Sequence, residues 1–278
     1  MSSRVFVLGS PRSGTTLVGN FIGSHPECFD LGEYFGFYLG WWHAPQIMRR
    51  VPSPVKDGFL RSLGQHALEH ADALRDEAGA RFWCDQTPWN LRVAEKIVES
   101  VPDALFVLML RNYRGVVMSL RQSFADGYGW AGHRIDESAR LWADSYAEAK
   151  HLPPERTIAV SYDRLCVSPQ ETIAELERDL SNRLGVDAEM FQRSALATRY
   201  ARSSFSRNDR TIAKVTKGQV EFTPVPAYDF AGWGDGMEAA CFQYVEKLER
   251  ELNHRFGDLY KPALPSSSSG SLATRSGE

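Results

Sequence analysis

A chain of 278 residues is long enough for one large domain or two small ones, and at that length about 75% of the unfolded surface is buried on folding. Hydrophobic content of 43%, charged content of 24% and a net charge of −3 describe an ordinary globular protein, with no electrostatic reason to expect nucleic acid or a polyanionic polysaccharide as partner. Four widely spaced cysteines form no C-x-x-C pair, no apolar run approaches the roughly 20 residues of a membrane span, and residues 1 to 4 lead straight into the first predicted strand, so reduced thiols and a cytoplasmic setting are expected.

The stretch VFVLGSPRSGTT opens the chain. Val5 to Leu8 reads as a buried parallel strand, Gly9 to Gly14 as a tight turn, and Thr15 onward as a helix with Leu17, Val18, Phe21 and Ile22 on its apolar face. Strand, glycine turn and helix in that order make an anion trap, because backbone N–H groups and the positive end of the helix dipole converge on one spot. The spacing G-x-x-x-x-G-T-T is that of a Walker loop with Thr15 where the phosphate-binding lysine would stand, which leaves Arg12 as the strong cation of the turn.

PRSGTT resembles the 5′-phosphosulfate loop of sulfotransferases that use 3′-phosphoadenosine 5′-phosphosulfate (PAPS). That resemblance implies a P-loop-type three-layer α/β fold, with a central, mostly parallel sheet flanked by helices. It also implies that Pro11, Arg12, Ser13, Gly14, Thr15 and Thr16 hold the donor, with Arg12 assisting catalysis and no metal required. Adenosine 3′,5′-bisphosphate would be the product.

The loop helix should end near Ser24, because His25 precedes Pro26. His25 reads as a cap or packing residue. The segment from Gly32-Glu33 carries Tyr34, Phe35, Phe37, Tyr38, Trp41 and Trp42, which are either core or the wall of an apolar pocket. An apolar setting would raise the pKa of Glu33 and suit it to take a proton, the alternative being a partly exposed surface glutamate. The pattern from His25-Pro26 to Gly32-Glu33 resembles the sulfotransferase branch that includes tyrosylprotein and carbohydrate enzymes, in which a glutamate at this place is the catalytic base. Residues 46 to 80 read as an amphipathic helical cover interrupted by Pro52 and Pro54.

RFWCDQTPWN predicts a short strand ending at Asp85 and a helix from about Trp89, with Gln86 where the resemblance implies a lysine. ALFVLML, residues 104 to 110, reads as a central strand covered on both faces. Arg111 at its end supplies a charged fork, and Ser119 a hydroxyl two turns into the next helix. R-x-x-R-x-V-V-x-S resembles the family's 3′-phosphate motif, which assigns Arg111 and Ser119 to that phosphate and leaves Arg114 and Arg121 solvated or structural. Residues 123 to 134 read as a glycine-rich mobile loop able to close over an acceptor, and residues 136 to 151 as a helix.

TIAVSY is another buried strand. VSYDRL resembles the family's strand and Tyr-Glu-Asp-Leu turn, which makes Tyr162 a neighbour of the adenine or 3′-phosphate. The basic stretch from 203 to 224 resembles the family's Lys-Gly loop at Lys217-Gly218, with Lys214 nearby. Residues 237 to 256 form a closing helix, and residues 263 to 278 a Ser/Gly-rich tail with too little apolar surface to fold, leaving 1 to 262 as one domain. The function expected is transfer of a sulfonate from PAPS to a hydroxyl of a small, apolar or aromatic acceptor. The rivals are a P-loop nucleotide kinase or NTPase with Asp163 as its Walker-B aspartate, and a nucleotide-binding module without catalysis.

Overall fold

The computed structural model describes residues 2–197, 213–216, 219–222 and 237–256. Five parallel strands form the centre: β1 (Arg4–Leu8), β2 (Cys28–Gly32), β3 (Phe82–Asp85), β4 (Leu105–Leu110) and β5 (Thr157–Ser161), in the order β2-β3-β1-β4-β5. β1 and β4 are buried along almost their whole length, as continuous apolar runs covered on both faces must be.

Alternate residues feed two cores. Phe6, Leu8, Trp83, Phe106 and Leu108 face one, and Val5, Val7, Phe82, Val107 and Met109 face the other. On the second face lie α1 (Thr15–Gly23), α8 (Tyr162–Val167) and α9 (Pro169–Leu184), through Phe21, Leu165 and Leu176 among others. The first face is covered by α4 (Ser53–Glu77), α5 (Ala94–Ser100), α6 (Tyr113–Ala125), α7 (Ile135–Tyr146) and α10 (Ala239–Phe256), through residues such as Ala71, Ile97, Val117, Trp142 and Val245. The expected three-layer α/β architecture is therefore the one the chain adopts.

Between β2 and α4 the aromatic segment forms a short helix α2 (Gly36–Tyr38), a π turn (Leu39–His43) and α3 (Ala44–Ile47). The helical cover is interrupted where the prolines predict: α3 ends at Ile47, residues 48–52 are not helical, Pro52 stands at the N-cap of α4, and Pro54 sits in its first turn, where no intrahelical N–H is needed. The helix predicted over 136 to 151 ends at Tyr146 and tightens into a 3₁₀ turn, Ala147–His151. β6 (Ala213–Thr216) and β7 (Gln219–Phe222) pair antiparallel. Lys217 and Gly218, between them, lie outside the described residues, as does the tail from 263 to 278.

All five strands of the main sheet run the same way, so their carboxyl ends share one edge. β1 leads leftward to β2 and β4 leads rightward to β5, and the crevice between β1 and β4 is the switch point where such sheets bind ligands.

Candidate active site

The turn after β1 is built to expose main chain. Ser13 N–H donates to Ser10 O at 3.0 Å, Arg12 adopts a left-handed φ of 72° and Gly14 one of 98°. A non-glycine residue in this region stores about 1 to 2 kcal/mol, and Arg12 is held there by its neighbours. Gly14 precedes α1 with no side-chain cap, so the first-turn amides of α1 have no side-chain oxygen in front of them. A Cβ at Gly14 would lie 2.7 Å from the Tyr162 ring, so only glycine lets α8 pack this close.

The turn after β4 closes against it. Arg111 is 7% exposed; its Nη1 donates to Arg12 O at 2.7 Å and its guanidinium lies 4.2 Å over the Tyr162 ring. Arg12 Nε donates to Ser119 Oγ at 3.0 Å. The structure thus brings together Arg12, Gly14, Arg111, Ser119 and Tyr162, which are drawn from three strand ends. Trp142 Nε1 donates to Arg111 O at 3.0 Å and the Tyr146 hydroxyl to Met109 O at 2.5 Å, so α7 pins the end of β4. Asn112 caps α6 through Gly115 N–H, and both Asp163 oxygens are taken by Asn112, one by its main-chain N–H at 3.1 Å and one by Nδ2 at 2.7 Å. Asp163 therefore fastens β5 to β4, a structural duty that opposes the Walker-B role of the kinase alternative. Arg114 pairs with Glu246 and Arg121 donates to the carbonyls of Gly132 and His133, so both are structural.

Arg111 Nε is buried without a partner. An orphaned guanidinium N–H beside a helix start with free amides suits a phosphate or sulfonate oxygen, and the residues present fit an anionic donor of the PAPS type.

Glu33 stands at the carboxyl end of β2, two strands and about 10 Å from β1 along the sheet. Its backbone lies between Gly32 (φ 63°) and Phe35 (φ 59°). Gln86 N–H donates to Gly32 O at 2.9 Å and Phe35 N–H to Thr87 Oγ1 at 3.1 Å, which moor this corner to the end of β3. Glu33 is open to solvent on one side, yet enough protein surrounds its carboxyl that lost hydration raises its pKa, with the nearby Asp85 charge adding to the effect. Asp85 is fully buried and accepts from Thr87 N–H and Asn90 Nδ2, both at 2.8 Å, so it holds the Thr87-Pro88 turn. Gln86 is turned into the protein against α1, where a Cβ on Gly19 would stand 2.1 Å from its Oε1. His25 is packing, as expected: it lies 4.7 Å from Phe191, accepts from Glu27 N–H and donates to Asp187 O.

The aromatic segment divides between the core and a stack of rings at its edge. Phe37 and Trp41 enter the core, while Tyr38 stacks with Trp42 at 6.2 Å and with Trp89 at 5.7 Å. Trp89 meets Trp130 edge-on at 5.8 Å, and Trp130 is 47% exposed. Sequence reasoning named neither Trp89 nor Trp130 as part of the wall. The only signal was their apolar bulk beside a proline turn and in a glycine-rich loop. That loop is tied down by Arg121 and by Ser138 Oγ donating to Ala131 O at 2.9 Å. An open cavity of about 740 Å³ is lined by His43, Gln46, Arg49, Arg50 and Val51 and includes neither a stacked ring of the aromatic segment nor a residue of the anion-binding turn.

A parallel sheet with an uncapped glycine turn after β1 and an arginine turn after β4, the two meeting at its switch point, defines a P-loop-type α/β protein. The Sulfotransferase family model matches residues 4–184, and the chain belongs to that family. It is 23% identical over 186 residues to a protein-tyrosine sulfotransferase of Drosophila melanogaster, covering 62% of this chain and 36% of that one. It is also 25% identical over 180 residues to protein-tyrosine sulfotransferase 2 of Gallus gallus, covering 61% and 48%. The chain thus spans less than half the length of these relatives. The sulfotransferase domain from the curacin biosynthetic pathway shares the fold, with a TM-score of 0.53 at 15% identity over 91% of this chain and 98% of that one.

Proposed function

We propose that the protein transfers a sulfonate group from PAPS to a hydroxyl of a small apolar or aromatic acceptor, with Glu33 as general base. The observation that carries this reading is the interlock of Arg12 with Arg111 and Ser119, which joins the 5′-side turn to the 3′-side motif across 99 and 107 residues of sequence. PAPS supplies the activated sulfonate when bound. Pro11, Ser13, Gly14, Thr15 and Thr16 present the turn and the helix start to its 5′ end, and Arg12 adds the positive charge there. Arg111 and Ser119 hold the 3′-phosphate and Tyr162 backs Arg111; the family resemblance adds Lys217 and Gly218, which lie outside the described residues, to the same phosphate.

Glu33 Oε takes the proton from the acceptor hydroxyl, and its raised pKa strengthens it as a base. Tyr38, Trp42 and Trp89 exclude water and orient an aromatic body beside it. The four cysteines are free thiols, which supports a reducing, cytoplasmic setting. Calorimetry in EDTA tests the reading: adenosine 3′,5′-bisphosphate binds tightly, while ATP with Mg²⁺ binds poorly in a parallel titration because it lacks a 3′-phosphate. No metal-free binding, or a clear preference for Mg·ATP, would remove it.

A further inference from the structure

Basic residues gather in the aromatic segment and in the turn after β3, between the acids Glu33 and Asp57 in one case and Asp85 and Glu95 in the other. Residues 34–56, which build the wall and the cavity, contain Arg49, Arg50 and Lys56 and no aspartate or glutamate. Residues 86–94, which supply the facing turn, contain Arg92 and again no acid. Arg92 lies 5.2 Å over the Trp42 ring and 5.1 Å over the Trp89 ring, with its Nε buried and without a hydrogen-bond partner. Its polar neighbour is the Tyr38 hydroxyl. Neither Arg92, Arg49 nor Arg50 forms an ion pair among the described residues. Arg49 turns its Nε back to Gln46 O at 3.0 Å, and it lines the cavity together with Arg50 and His43.

A guanidinium held against two indoles is ordered and partly dehydrated on its faces, so what it has left to offer is its in-plane edge. That edge matches a carboxylate and pairs with none among the described residues. Between the corner that carries Glu33 and the turn that carries Arg92 run ring contacts from Phe35 to Tyr38 at 6.5 Å and from Tyr38 to Trp89 at 5.7 Å. An acceptor with a negative group beside its hydroxyl would be repelled by Glu33, whereas one with the negative group at its far end would meet Arg92 and the basic cavity. We infer that the acceptor is a hydroxy acid, with its hydroxyl at Glu33, its apolar or aromatic body along Tyr38, Trp42 and Trp89, and its carboxylate at Arg92 under the field of Arg49 and Arg50. This inference rests on the proposed acceptor site and names its substrate class.

The test compares para-hydroxyphenylpropionate with its neutral amide, first without donor by tryptophan fluorescence and then as acceptors of labelled sulfonate. The acid binds about tenfold or more tightly at low salt, as a charge-assisted contact requires, and the preference shrinks as ionic strength rises. Arg92→Gln brings the ratio of the two dissociation constants close to one, the double substitution of Arg49 and Arg50 by Ala lowers it in part, and the KM ratio follows. Equal affinity of acid and amide, binding of neither, or a preference intact in Arg92→Gln overturns the inference. Should Arg92→Gln fail to fold, the salt dependence of the ratio in the unaltered protein decides. Failure of the donor reading shows separately, as loss of adenosine 3′,5′-bisphosphate binding with the acid-to-amide ratio still measurable.

Discussion

The turns after β1 and β4 and the corner after β2 sit on the same sheet edge and are built from opposite materials. The first pair is main chain and buried guanidinium: uncapped amides of α1, Arg111 donating to Arg12 O, Arg12 reaching Ser119. The corner after β2 is side chain: a glutamate, stacked rings and an arginine against indoles. Each half contains one of the two non-glycine residues with positive φ among the described residues, Arg12 and Phe35. Strain of about 1 to 3 kcal/mol persists where surrounding structure over-determines it, and here it falls on the two sides of one crevice. A ligand group of fixed shape and charge can be met by fixed backbone. On the proposed function, a hydroxyl carried on a variable body is met by side chains, which matches the second half's being a lining and the first a socket.

Breaking the acceptor half while sparing the donor half should give the largest effect. Glu33→Gln keeps shape and removes the base, so turnover falls by roughly 10² to 10⁴ with adenosine 3′,5′-bisphosphate affinity nearly unchanged. Because burial and Asp85 raise the Glu33 pKa, the acid limb of the kcat/KM profile lies above the ordinary glutamate value and vanishes in the variant. Near-normal turnover in Glu33→Gln would strip the corner of its chemical role. Asp85 is a poor substitute, since Thr87 and Asn90 already occupy its oxygens.

The converse break is Arg111→Ala. It removes a guanidinium that supports Arg12 O and stacks on Tyr162, and whose Nε is the orphaned donor assigned to a phosphate oxygen. Calorimetry should show adenosine 3′,5′-bisphosphate binding weakened by about 1.5 to 3 kcal/mol, with acceptor affinity in the absence of donor unaltered. Equal damage to both ligands would mean that the two halves are one structural unit rather than two.

The same contrast explains what could be read in the chain. Strand, glycine turn and helix from Val5 to Phe21 are contiguous, so the anion trap is legible from spacing, and the apolar run ending at Arg111 is legible for the same reason. The closure of Arg12 on Ser119 joins residues 107 apart and required the strand order β1-β4 to be known. Trp89, Arg92 and Trp130 carry no spacing signal because they come from two short 3₁₀ turns, Pro88–Val93 and Gly129–Ala131. The inward turn of Gln86 depends on Gly19 having no Cβ, a contact that neither residue's neighbours announce. Asp163 reads as a strand-end acid in sequence, and only the Asn112 contacts give it a role.

The smallest effect concerns how firmly the donor half is held. Glu249, on α10, accepts from the N–H of Tyr113 at the start of α6, one residue beyond Asn112 and two beyond Arg111. Burial pushes its pKa up to about 7; Arg114 and the Tyr113 N–H oppose that rise, and the charges of Glu246 and Asp163 add to it. A carboxyl whose pKa is higher in the folded protein than in the unfolded chain takes up a proton on folding. Its stabilising contribution is therefore complete below the ordinary glutamate value and is lost as pH rises through about 7. Thermal unfolding followed between about pH 5 and about pH 8 should show stability falling by on the order of 1 kcal/mol from this group, and Glu249→Gln, which stays neutral, should remove that slope. Adenosine 3′,5′-bisphosphate affinity should weaken over the same interval in the unaltered protein more than in the variant, because a charged Glu249 loosens α10 from the turn that carries Arg111. A pH slope identical in both proteins would place the titration elsewhere and leave α10 as cover alone.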